Sequence, residues 1–440
     1  MDLLAALGTL LLFSGLGVLV GILTGLAPGL HVNNVAALVV ATQGAWATGL
    51  SGILPVLAAD PGALAGSLSA FIVAAAVSHG IFDFIPSTFL GAPSEETALS
   101  VLPGHRMLLR GEGARAVELA ARGALLGVLL SVALLVPLRA VLADPVGLAD
   151  RSRAWTGVFL IALLAALLAS EGFRRGRRVR RILRAAWVQT LAAALGVAVL
   201  RGASGVSEDI VLFPLFSGLF GLPGLLLAAR ARVGPIPSQR IETQGRPAPG
   251  ELGASVRGSL AGAAVSWLPG LSGGAAATLA TLGSRRGSDP ASYMVVLGSV
   301  SSSTAVLSVA VLFVIGRARS GAAAAVRTLL GATPPWSELP SVPTALVLLL
   351  GSAVLAASVS APIAVRLARR VASKWSAMDP RRLAVATLVG LGALLLLLAG
   401  PAGFAMAAAA TAIGLVPVVA GVRRVHLMAS LLVPVLLGFL

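Results

Sequence analysis

Long apolar runs recur along the whole chain, and they restrict its fold more than any other feature. The first extends from Leu3 to about Thr24, and runs of about 18 apolar residues or more follow in both halves. Each is long enough to cross a bilayer as an α-helix, which satisfies its own backbone hydrogen bonds. Only 11% of the 440 residues are charged, whereas soluble domains carry about 25%. The sequence therefore predicts an all-α polytopic protein of the cytoplasmic membrane, with about 10–12 transmembrane helices.

The charged residues are mostly arginine, and their positions predict how the helices are oriented. No basic residue precedes the first apolar run, so this run predicts a membrane helix and not a removable signal. The arginines between Arg174 and Arg184 predict a cytoplasmic loop, and Asp144 and Asp150 predict a loop on the opposite face. The net charge of +16 therefore indicates contact with anionic membrane lipids and does not indicate nucleic acid as a partner.

A Pro-Gly-Leu triplet interrupts an apolar run twice, once in each half of the chain. The first copy reads PGLHVNN from Pro28, and the second reads PGLSGG from Pro269. Proline ends or kinks a helix, and glycine permits the tight backbone path that follows. Two broken apolar segments at matching places in two halves indicate the binding site of a transporter.

A polar, Pro- and Gly-rich stretch separates the two halves. We predict a first membrane repeat over residues 1–229, a linker over 230–254 and a second repeat over 255–440. A further linker is expected at about Arg317–Ser341. If the basic linker is cytoplasmic, the second half starts inside, whereas the N-terminus with Asp2 favours the outside. The sequence therefore predicts two inverted-topology repeats, each with a re-entrant or hairpin helix at its Pro-Gly break.

The two breaks have the donors that an anion requires. A helix that starts inside a membrane leaves four N–H groups without partners, and its dipole favours negative charge there. The predicted substrate-binding residues are Pro28, Gly29, His31, Asn33 and Asn34 at the first break, and Pro269, Gly270, Ser272, Gly273 and Gly274 at the second. The alternative is that each Pro-Gly pair only kinks a helix, with asparagine and serine as caps.

Acidic residues near apolar stretches are candidates for binding a coupling ion. Asp83 lies deepest in an apolar run, and Glu95 and Glu96 follow in the next polar segment. A carboxylate inside a membrane is costly unless a proton or cation accompanies it. The alternative for Glu95 and Glu96 is a helix cap at the interface. His79 is a candidate for anion contact, and the alternative is a hydrogen bond between helices.

Several classes of chemistry lack support in this sequence. The chain contains no cysteine, so disulfides and cysteine-based metal sites are excluded. No histidine and carboxylate set has metal-ligand spacing, and no hydrolase, metalloprotease or P-loop pattern occurs. We therefore expect a protein that is not an enzyme and holds no metal or cofactor beyond a coupling Na⁺ or H⁺. The run of hydroxyl residues from Ser299 to Thr304 predicts close helix packing, and the alternative is that it lines the substrate path.

Four separated motifs resemble one family in the same order. The stretch FLGAPSEETALSVLPGHRMLLRGEGARAVELAARGALLG resembles the signature region of the TctA family, the large membrane subunits of tripartite tricarboxylate transporters. FPLFSGLFGLPGLL and the two Pro-Gly-Leu breaks resemble further motifs of that family. The polar residues after the first break, where bacterial permeases continue with glycine, make the chain similar to divergent archaeal members. PGLSGG also resembles, more weakly, a motif of polyprenyl-phosphate translocases.

The resemblance implies an anion-handling secondary carrier that is coupled to Na⁺ or H⁺. It also implies two partners, a small membrane subunit and an extracytoplasmic solute-binding protein. We predict transport of an organic anion of the di- or tricarboxylate class, bound between the two breaks near mid-membrane. The first alternative is a translocase for polyprenyl phosphate, a lipid phosphate with the same anion chemistry. The second is a membrane enzyme or scaffold without transport, although the scattered acids and histidines do not favour it.

Overall fold

A computed structural model describes most of the chain. The described residues are 3–27, 32–50, 52–54, 57, 60–89, 101–152, 155–172, 178–202, 205–206, 210–230, 237–240, 250–268, 273–281, 289–331, 335–338, 341–375 and 380–438. Within these ranges the regular structure is helical throughout. The predicted all-α fold is confirmed.

The helices are numbered in chain order. They are α1 (Leu3–Leu26), α2 (Val32–Ala41), α3 (Gln43–Leu50), α4 (Pro61–Phe82), α5 (Phe84–Phe89), α6 (Val101–Leu109), α7 (Gly113–Leu142), α8 (Leu148–Arg151), α9 (Thr156–Glu171), α10 (Arg178–Arg201), α11 (Leu212–Phe216), α12 (Leu222–Arg230), α13 (Glu251–Trp267), α14 (Gly273–Thr281), α15 (Pro290–Ile315), α16 (Gly321–Leu330), α17 (Thr344–Trp375), α18 (Pro380–Ala420) and α19 (Ala429–Leu436). A π-helical segment, Ser217–Gly221, joins α11 to α12, and a 3₁₀ segment, Arg424–Met428, precedes α19.

Seven helices in the described ranges are long and apolar enough to cross a membrane. The most buried are α15 and the continuous span formed by α4 and α5. Helix α18 changes direction at Gly400, where φ is 65° and Pro401 follows, so it consists of two helices in series. Four shorter apolar helices accompany these spans. A multi-pass membrane protein is therefore confirmed, and the total of about 10–12 crossings stays a prediction.

Helix α1 packs closely along α4 through glycines on one face. A Cβ atom added at Gly21 would lie 2.6 Å from the carbonyl oxygen of Ala75, and one at Gly17 would collide with that of Phe71. Small residues of this kind let two membrane helices approach at backbone distance. The residue numbers rise together along the contact, so α1 and α4 run in the same direction.

Helix α13 packs along α15 in the same way. A Cβ atom added at Gly258 would lie 2.6 Å from the carbonyl oxygen of Val296, and one at Gly262 would lie 3.0 Å from that of Val300. This pair also runs in the same direction. The helix before each Pro-Gly break therefore forms a glycine-lined seam with the buried helix that follows the break.

The helix after each break packs back toward the start of the helix before it. In the first half, Trp46 of α3 packs between Phe13 and Phe71, with ring centroids 6.3 Å apart in each pair. Because Phe13 lies in the first half of α1, the chain has returned toward the start of α1. In the second half, α14 packs against both α13 and α15. Since α15 then starts beside the beginning of α13, the chain has also returned there. We call α1–α3 the first hairpin and α13–α14 the second hairpin.

The buried helix after each hairpin starts with the same cap. Asp60 precedes Pro61 and accepts hydrogen bonds from two backbone N–H groups of α4, both at 3.0 Å. Asp289 precedes Pro290 and accepts two such bonds, both at 3.4 Å, from α15. An aspartate N-cap followed by proline at the first helical position is a strong start signal. The sequence therefore contains a second duplicated feature besides the Pro-Gly breaks.

The two halves continue in the same order after their buried helices. A short helix follows in each (α6, α16), and then a long helix with an internal proline, Pro137 in α7 and Pro362 in α17. Helix α16 packs on α4, α6 packs on α15, and α7 packs along both α15 and α17. The short and long helices of each half thus cover the buried helix of the other.

A buried group of charges lies at the start of α7. The Glu118 carboxylate lies 3.2 Å from Arg115, 3.6 Å from Arg122 and 3.8 Å from Arg369, which is near the end of α17. Arg122 also pairs with Glu251 at the start of α13, at 2.9 Å. The start of α7, the start of α13 and the end of α17 therefore lie at one end of the bundle.

The other end of α7 meets the segment that precedes α17. Arg139 donates from Nε to the carbonyl oxygen of Trp336 at 3.2 Å, and its guanidinium stacks over that indole at 5.7 Å. Helices α7 and α17 are therefore antiparallel, although they hold corresponding places in the two halves. Antiparallel packing of corresponding helices is what an inverted repeat requires. The inversion itself stays a prediction.

The predicted close packing at the serine run is confirmed. Three hydroxyls of α15 donate to carbonyl oxygens of α7: Ser299 to Gly123 at 2.8 Å, Ser302 to Ala124 at 2.7 Å and Ser303 to Gly127 at 2.9 Å. A Cβ atom at Gly298 would collide with the carbonyl oxygen of Ala120. Glycine and serine together bring α7 and α15 to backbone contact.

The remaining helices pack mainly on one another. Helix α18 contacts α12, α11 and the π-helical segment, and α19 contacts α10. The fully buried Glu171, which ends α9, accepts from Arg423 Nε at 2.8 Å and lies 3.3 Å from His426 Nε2. This ion pair joins α9 to the turn between α18 and α19.

Candidate functional site

The first hairpin contacts the start of α16 through Asn33. This residue is in the first turn of α2, and its Oδ1 accepts a hydrogen bond from Ala322 N at 3.2 Å. Ser320, the N-cap of α16, accepts from Ala323 N at 3.1 Å. A Cβ atom at Gly321 would lie 2.6 Å from Asn33 Cγ, so the approach requires glycine there. Asn33 therefore supplies a second acceptor for the N–H groups that begin α16.

The second hairpin contacts the same loop through Arg319. Leu268 ends α13 and is the last described residue before the second break. Its carbonyl oxygen accepts a hydrogen bond from Arg319 Nε at 2.7 Å. Arg319 is half-buried and immediately precedes Ser320. Residues 316–320, which join α15 to α16, therefore lie between the two hairpins, and we call them the 316–320 loop.

The register of α13 on α15 shows the level of this contact along α15. Gly258 lies beside Val296 and Gly262 beside Val300, so Leu268 is level with about Val306. Helix α15 continues to Ile315, which at 1.5 Å per residue is on the order of 10 Å further along the helix axis. The 316–320 loop and the Arg319 side chain together span this distance.

The structure describes three of the predicted substrate-binding residues in full: Asn33, Gly273 and Gly274. Asn33 contacts the start of α16, as described above. Gly273 and Gly274 are buried and form the first turn of α14, directly after the second break. Outside the described residues lie Pro28, Gly29, His31, Pro269, Gly270, Ser272, Glu95, Glu96 and the side chain of Asn34. Their predicted roles, and those of the three described residues as substrate contacts, stay predictions.

The predicted coupling residue Asp83 is buried at the junction of α4 and α5. It is the C-cap of α4, and its backbone N–H bonds to the carbonyl oxygen of His79 at 2.9 Å. His79 Nδ1 lies 3.1 Å from Thr24 Oγ1 of α1, so His79 joins two helices of the first half. This contact supports the structural reading of His79. The coupling role of Asp83 stays a prediction.

Four of the ten acids in the described part of the chain pair with arginines. Asp150 pairs with Arg317 at 3.7 Å, and Glu118, Glu171 and Glu251 are in the ion pairs given above. No three His, Asp or Glu side chains in the described ranges lie close enough together to hold a metal ion.

The prediction of a plain linker at Arg317–Ser341 is wrong in part. Helix α16 occupies Gly321–Leu330 and buries one face, including Ala323 and Val326. The sequence did not predict this helix because it is short and alanine-rich and lies between two polar stretches. The Ser-Gly pair before it is a helix-start signal that identifies α16 in retrospect, because serine is a preferred N-cap. Arg319 lies directly before that signal.

The family comparison agrees with the motifs and the helical fold. The family model described as "Tripartite tricarboxylate transporter TctA family" matches residues 11–429. The chain belongs to the TctA family. A similar protein is the uncharacterized protein MJ1079 of Methanocaldococcus jannaschii, 31% identical over 324 residues, which are 72% of each chain. No solved structure matches. The TctA family is a component of tripartite transporters, so the chain has a transport role at the membrane.

Proposed function

We propose that this TctA-family chain is a secondary transporter of a small organic anion of the di- or tricarboxylate class. The proposed site lies where the two hairpins meet the 316–320 loop. One observation carries the proposal: within four residues of chain, Arg319 contacts the end of α13 and Ala322 contacts Asn33 of α2. The described residues next to the two breaks, Asn33 and Leu268, therefore contact one short segment, and a ligand there would contact parts of both halves.

The buried helices near this place support a transport site. The 316–320 loop joins the buried α15 to α16, which packs on the buried α4. Hairpin tips and helix starts inside the bundle expose backbone N–H groups that must be satisfied away from water. An anion satisfies them and is favoured by the helix dipoles.

The packing also supports the inverted repeat that alternating access uses. The corresponding helices α7 and α17 are antiparallel, and each half places its short and long helices on the buried helix of the other. In an inverted pair the two hairpins enter from opposite sides of the membrane. When the bundle opens beside one hairpin, the site is exposed to one face of the membrane. When it opens beside the other hairpin, the same site is exposed to the opposite face. The chain itself carries out no chemical step in this cycle.

The family also supports a proposal of ion coupling and partner subunits. Asp83 is our candidate for Na⁺ or H⁺ coupling, since it is buried one turn beyond the His79–Thr24 contact. Glu95 and Glu96 are further candidates. A tripartite carrier works with a small membrane subunit and an extracytoplasmic solute-binding protein, and we propose both as partners of this chain.

Ligand-induced thermal stabilisation of the purified protein tests the proposal without its partners. A ligand that binds the folded state raises the melting temperature. At a ligand concentration of 100 times Kd, the free energy of unfolding increases by about 2.7 kcal/mol. Citrate, succinate, inorganic phosphate and a polyprenyl phosphate are compared. We expect stabilisation by the carboxylates, followed by exchange of the labelled carboxylate across proteoliposomes loaded with the same anion.

Other outcomes identify the alternatives. Stabilisation by polyprenyl phosphate alone, with lipid-phosphate flipping in vesicles, supports the translocase suggested by the PGLSGG motif. If the protein neither binds nor exchanges any of these anions, the proposal is overturned. A scaffold or an intramembrane enzyme then remains as the alternative.

A further inference from the structure

We propose that Arg257 of α13 binds the phosphate of a phospholipid headgroup. This inference goes beyond the proposed function, because it assigns a lipid site that does not depend on which anion is transported. Three observations carry it. Arg257 has no partner in the described part of the protein, it lies within reach of the headgroups, and an exposed apolar stripe runs beside it.

Arg257 differs from three other arginines at its end of the bundle. Those three, Arg115, Arg122 and Arg369, each have a carboxylate at ion-pair distance. Arg257 is half-buried, and among the residues that the structure describes it has neither an ion pair nor a hydrogen bond. Its Nε atom is shielded from solvent. The charge of Arg257 is therefore not compensated within the described protein.

The packing of α13 on α15 places Arg257 near the membrane boundary. Gly258 lies beside Val296, so Arg257 is level with about Val295, roughly 8 Å from the start of α15 at 1.5 Å per residue. Helix α15 has 26 residues and is about 39 Å long, whereas the hydrocarbon core is about 30 Å thick. With about 4–5 Å of α15 beyond the core at each end, the Arg257 backbone lies a few ångströms inside the core.

An arginine side chain at this level reaches the headgroups. The Cα–Cβ bonds of an α-helix tilt toward its N-terminus, and α13 starts at the near end of the bundle, where Glu251 pairs with Arg122. The side chain of Arg257 therefore leaves the backbone in the direction of the headgroups. Arginines near helix ends bury their apolar stem in this way and place the guanidinium at the interface.

Exposed apolar side chains beside Arg257 match the acyl chains of a lipid. Leu252, Val256 and Leu260 follow one another at one-turn intervals along α13 and are 63%, 38% and 53% exposed. Gly253 precedes Arg257 by one turn, and a Cβ atom added there would meet nothing within 4 Å. A cation with open space and an apolar stripe beside it fits an amphiphilic anion better than a water-soluble one.

The headgroup that fits this place is a phosphate ester with a net negative charge. A guanidinium donates two parallel hydrogen bonds to phosphate oxygens. Basic pockets between membrane helices on the cytoplasmic side are known to bind anionic headgroups, and the arginine-rich segments at this end are predicted to be cytoplasmic. We therefore assign the site to an anionic phospholipid, with phosphatidylglycerol as the probe.

Two variants and a control test the assignment by native mass spectrometry of the purified protein, titrated with phosphatidylglycerol. Arg257→Gln removes the charge, and Gly253→Leu retains it but fills the open space. Arg110→Gln removes an exposed charge in the turn between α6 and α7. We expect Arg257→Gln to weaken the tightest lipid site about 5-fold, which corresponds to about 1 kcal/mol. Gly253→Leu should also weaken it, and Arg110→Gln should leave it unchanged.

Other ligands separate phosphate recognition from apolar contact and from a structural role. The wild-type protein should bind phosphatidylglycerol more tightly than a diacylglycerol with the same acyl chains, and Arg257→Gln should distinguish the two less. Inorganic phosphate should not displace the lipid. Because Arg257 has no partner in the described protein, the melting temperature of Arg257→Gln without added lipid should stay close to that of the wild type.

Several results would overturn this assignment. Unchanged phosphatidylglycerol affinity in Arg257→Gln does so, and so does an equal loss of affinity in Arg110→Gln. Diacylglycerol binding as tight as phosphatidylglycerol binding shows that the apolar stripe acts without Arg257. Displacement by inorganic phosphate assigns Arg257 to a soluble anion instead of a lipid. None of these results concerns carboxylate binding, so the proposed function stands or fails by its own experiment.

Discussion

The two hairpins share their helix packing and differ at their tips. Both use glycines to bring the first helix against the buried helix that follows, and both buried helices start with an Asp-Pro cap. After the breaks, the first hairpin continues with HVNN and the second with SGG. The segment between α5 and α6 carries Glu95 and Glu96, whereas the corresponding segment between α15 and α16 carries Arg317 and Arg319.

This difference indicates which features serve packing and which serve ligands. Close helix packing requires small residues in both halves, so those positions stay alike. The segments that follow the two buried helices carry charges of opposite sign, and in our proposal the acids of the first segment are candidates for binding the coupling ion. The predictions below test the likeness first and the difference afterwards, from the largest expected effect to the smallest.

Labelling of single cysteines tests whether the halves are inverted. The chain has no cysteine, so Arg110→Cys, in the turn between α6 and α7, and Glu338→Cys, before α17, each introduce one thiol at an exposed position. A membrane-impermeant maleimide should label the two from opposite sides of intact cells or vesicles, since these segments lie at opposite ends of α7. A permeant maleimide is the control for reactivity. Labelling of both from the same side contradicts the inverted arrangement.

Removal of the buried carboxylate at the start of α7 should destabilise the fold strongly. Glu118→Gln leaves Arg115, Arg122 and Arg369 around an uncharged group. Breaking a fully buried ion pair costs about 3–5 kcal/mol, and solvent screening at the partly exposed Arg122 and Arg369 places the expected loss toward the lower end. The melting temperature in detergent should fall clearly. Glu112→Gln is the control, because that side chain makes no capping hydrogen bond to α7. Equal melting temperatures for the two variants would refute the importance of this charge group.

One methyl group added to either glycine-lined seam should lower the stability of the protein, by a similar amount in the two hairpins. Gly21→Ala meets the backbone of α4, and Gly262→Ala meets the side chain of Ser303 and the backbone of α15. Overpacking typically costs about 1–3 kcal/mol. Gly8→Ala on the open face of α1 is the control and should not destabilise. A loss of thermal stability in one seam alone would show that the two hairpins are not packed alike.

Loss of the Asn33 cap should have the smallest effect on stability. Asn33→Ala removes the acceptor for Ala322 N, and the loss of a capping side chain costs about 1 kcal/mol. Ser320→Ala removes the other acceptor at the start of α16 and is the matched variant. If the two acceptors support the same helix start, the double variant departs from additivity in thermal unfolding. Full stability and full anion binding in Asn33→Ala would remove Asn33 from the site.

The sequence predicted the features that depend on composition and local pattern. Apolar runs and scarce charge specify membrane helices, since a bilayer leaves few other folds. Proline and glycine interrupt a helix through local backbone geometry, whatever the tertiary packing. Both breaks can therefore be identified from the sequence alone. The serine run predicted helix packing because small hydroxyl residues suit close contact.

Other features depend on residues far apart in the chain and were missed. Helix α16 is short and alanine-rich, and its start is capped by Asn33 from the other half. Arg319 is unremarkable in the sequence, where it resembles the arginine-rich loops, and only its bond to Leu268 places it at the second break. For His79 the sequence left two roles open, and its contact with Thr24 supports the hydrogen bond between helices.

The sequence by itself determined a multi-pass helical protein with two Pro-Gly breaks, because transfer into lipid and backbone geometry act residue by residue. Only the tertiary structure decided which loop lies between the hairpins, which arginine contacts the second hairpin and which helices are antiparallel. These depend on the packing of segments that are hundreds of residues apart, and glycine seams, caps and ion pairs between the halves specify that packing.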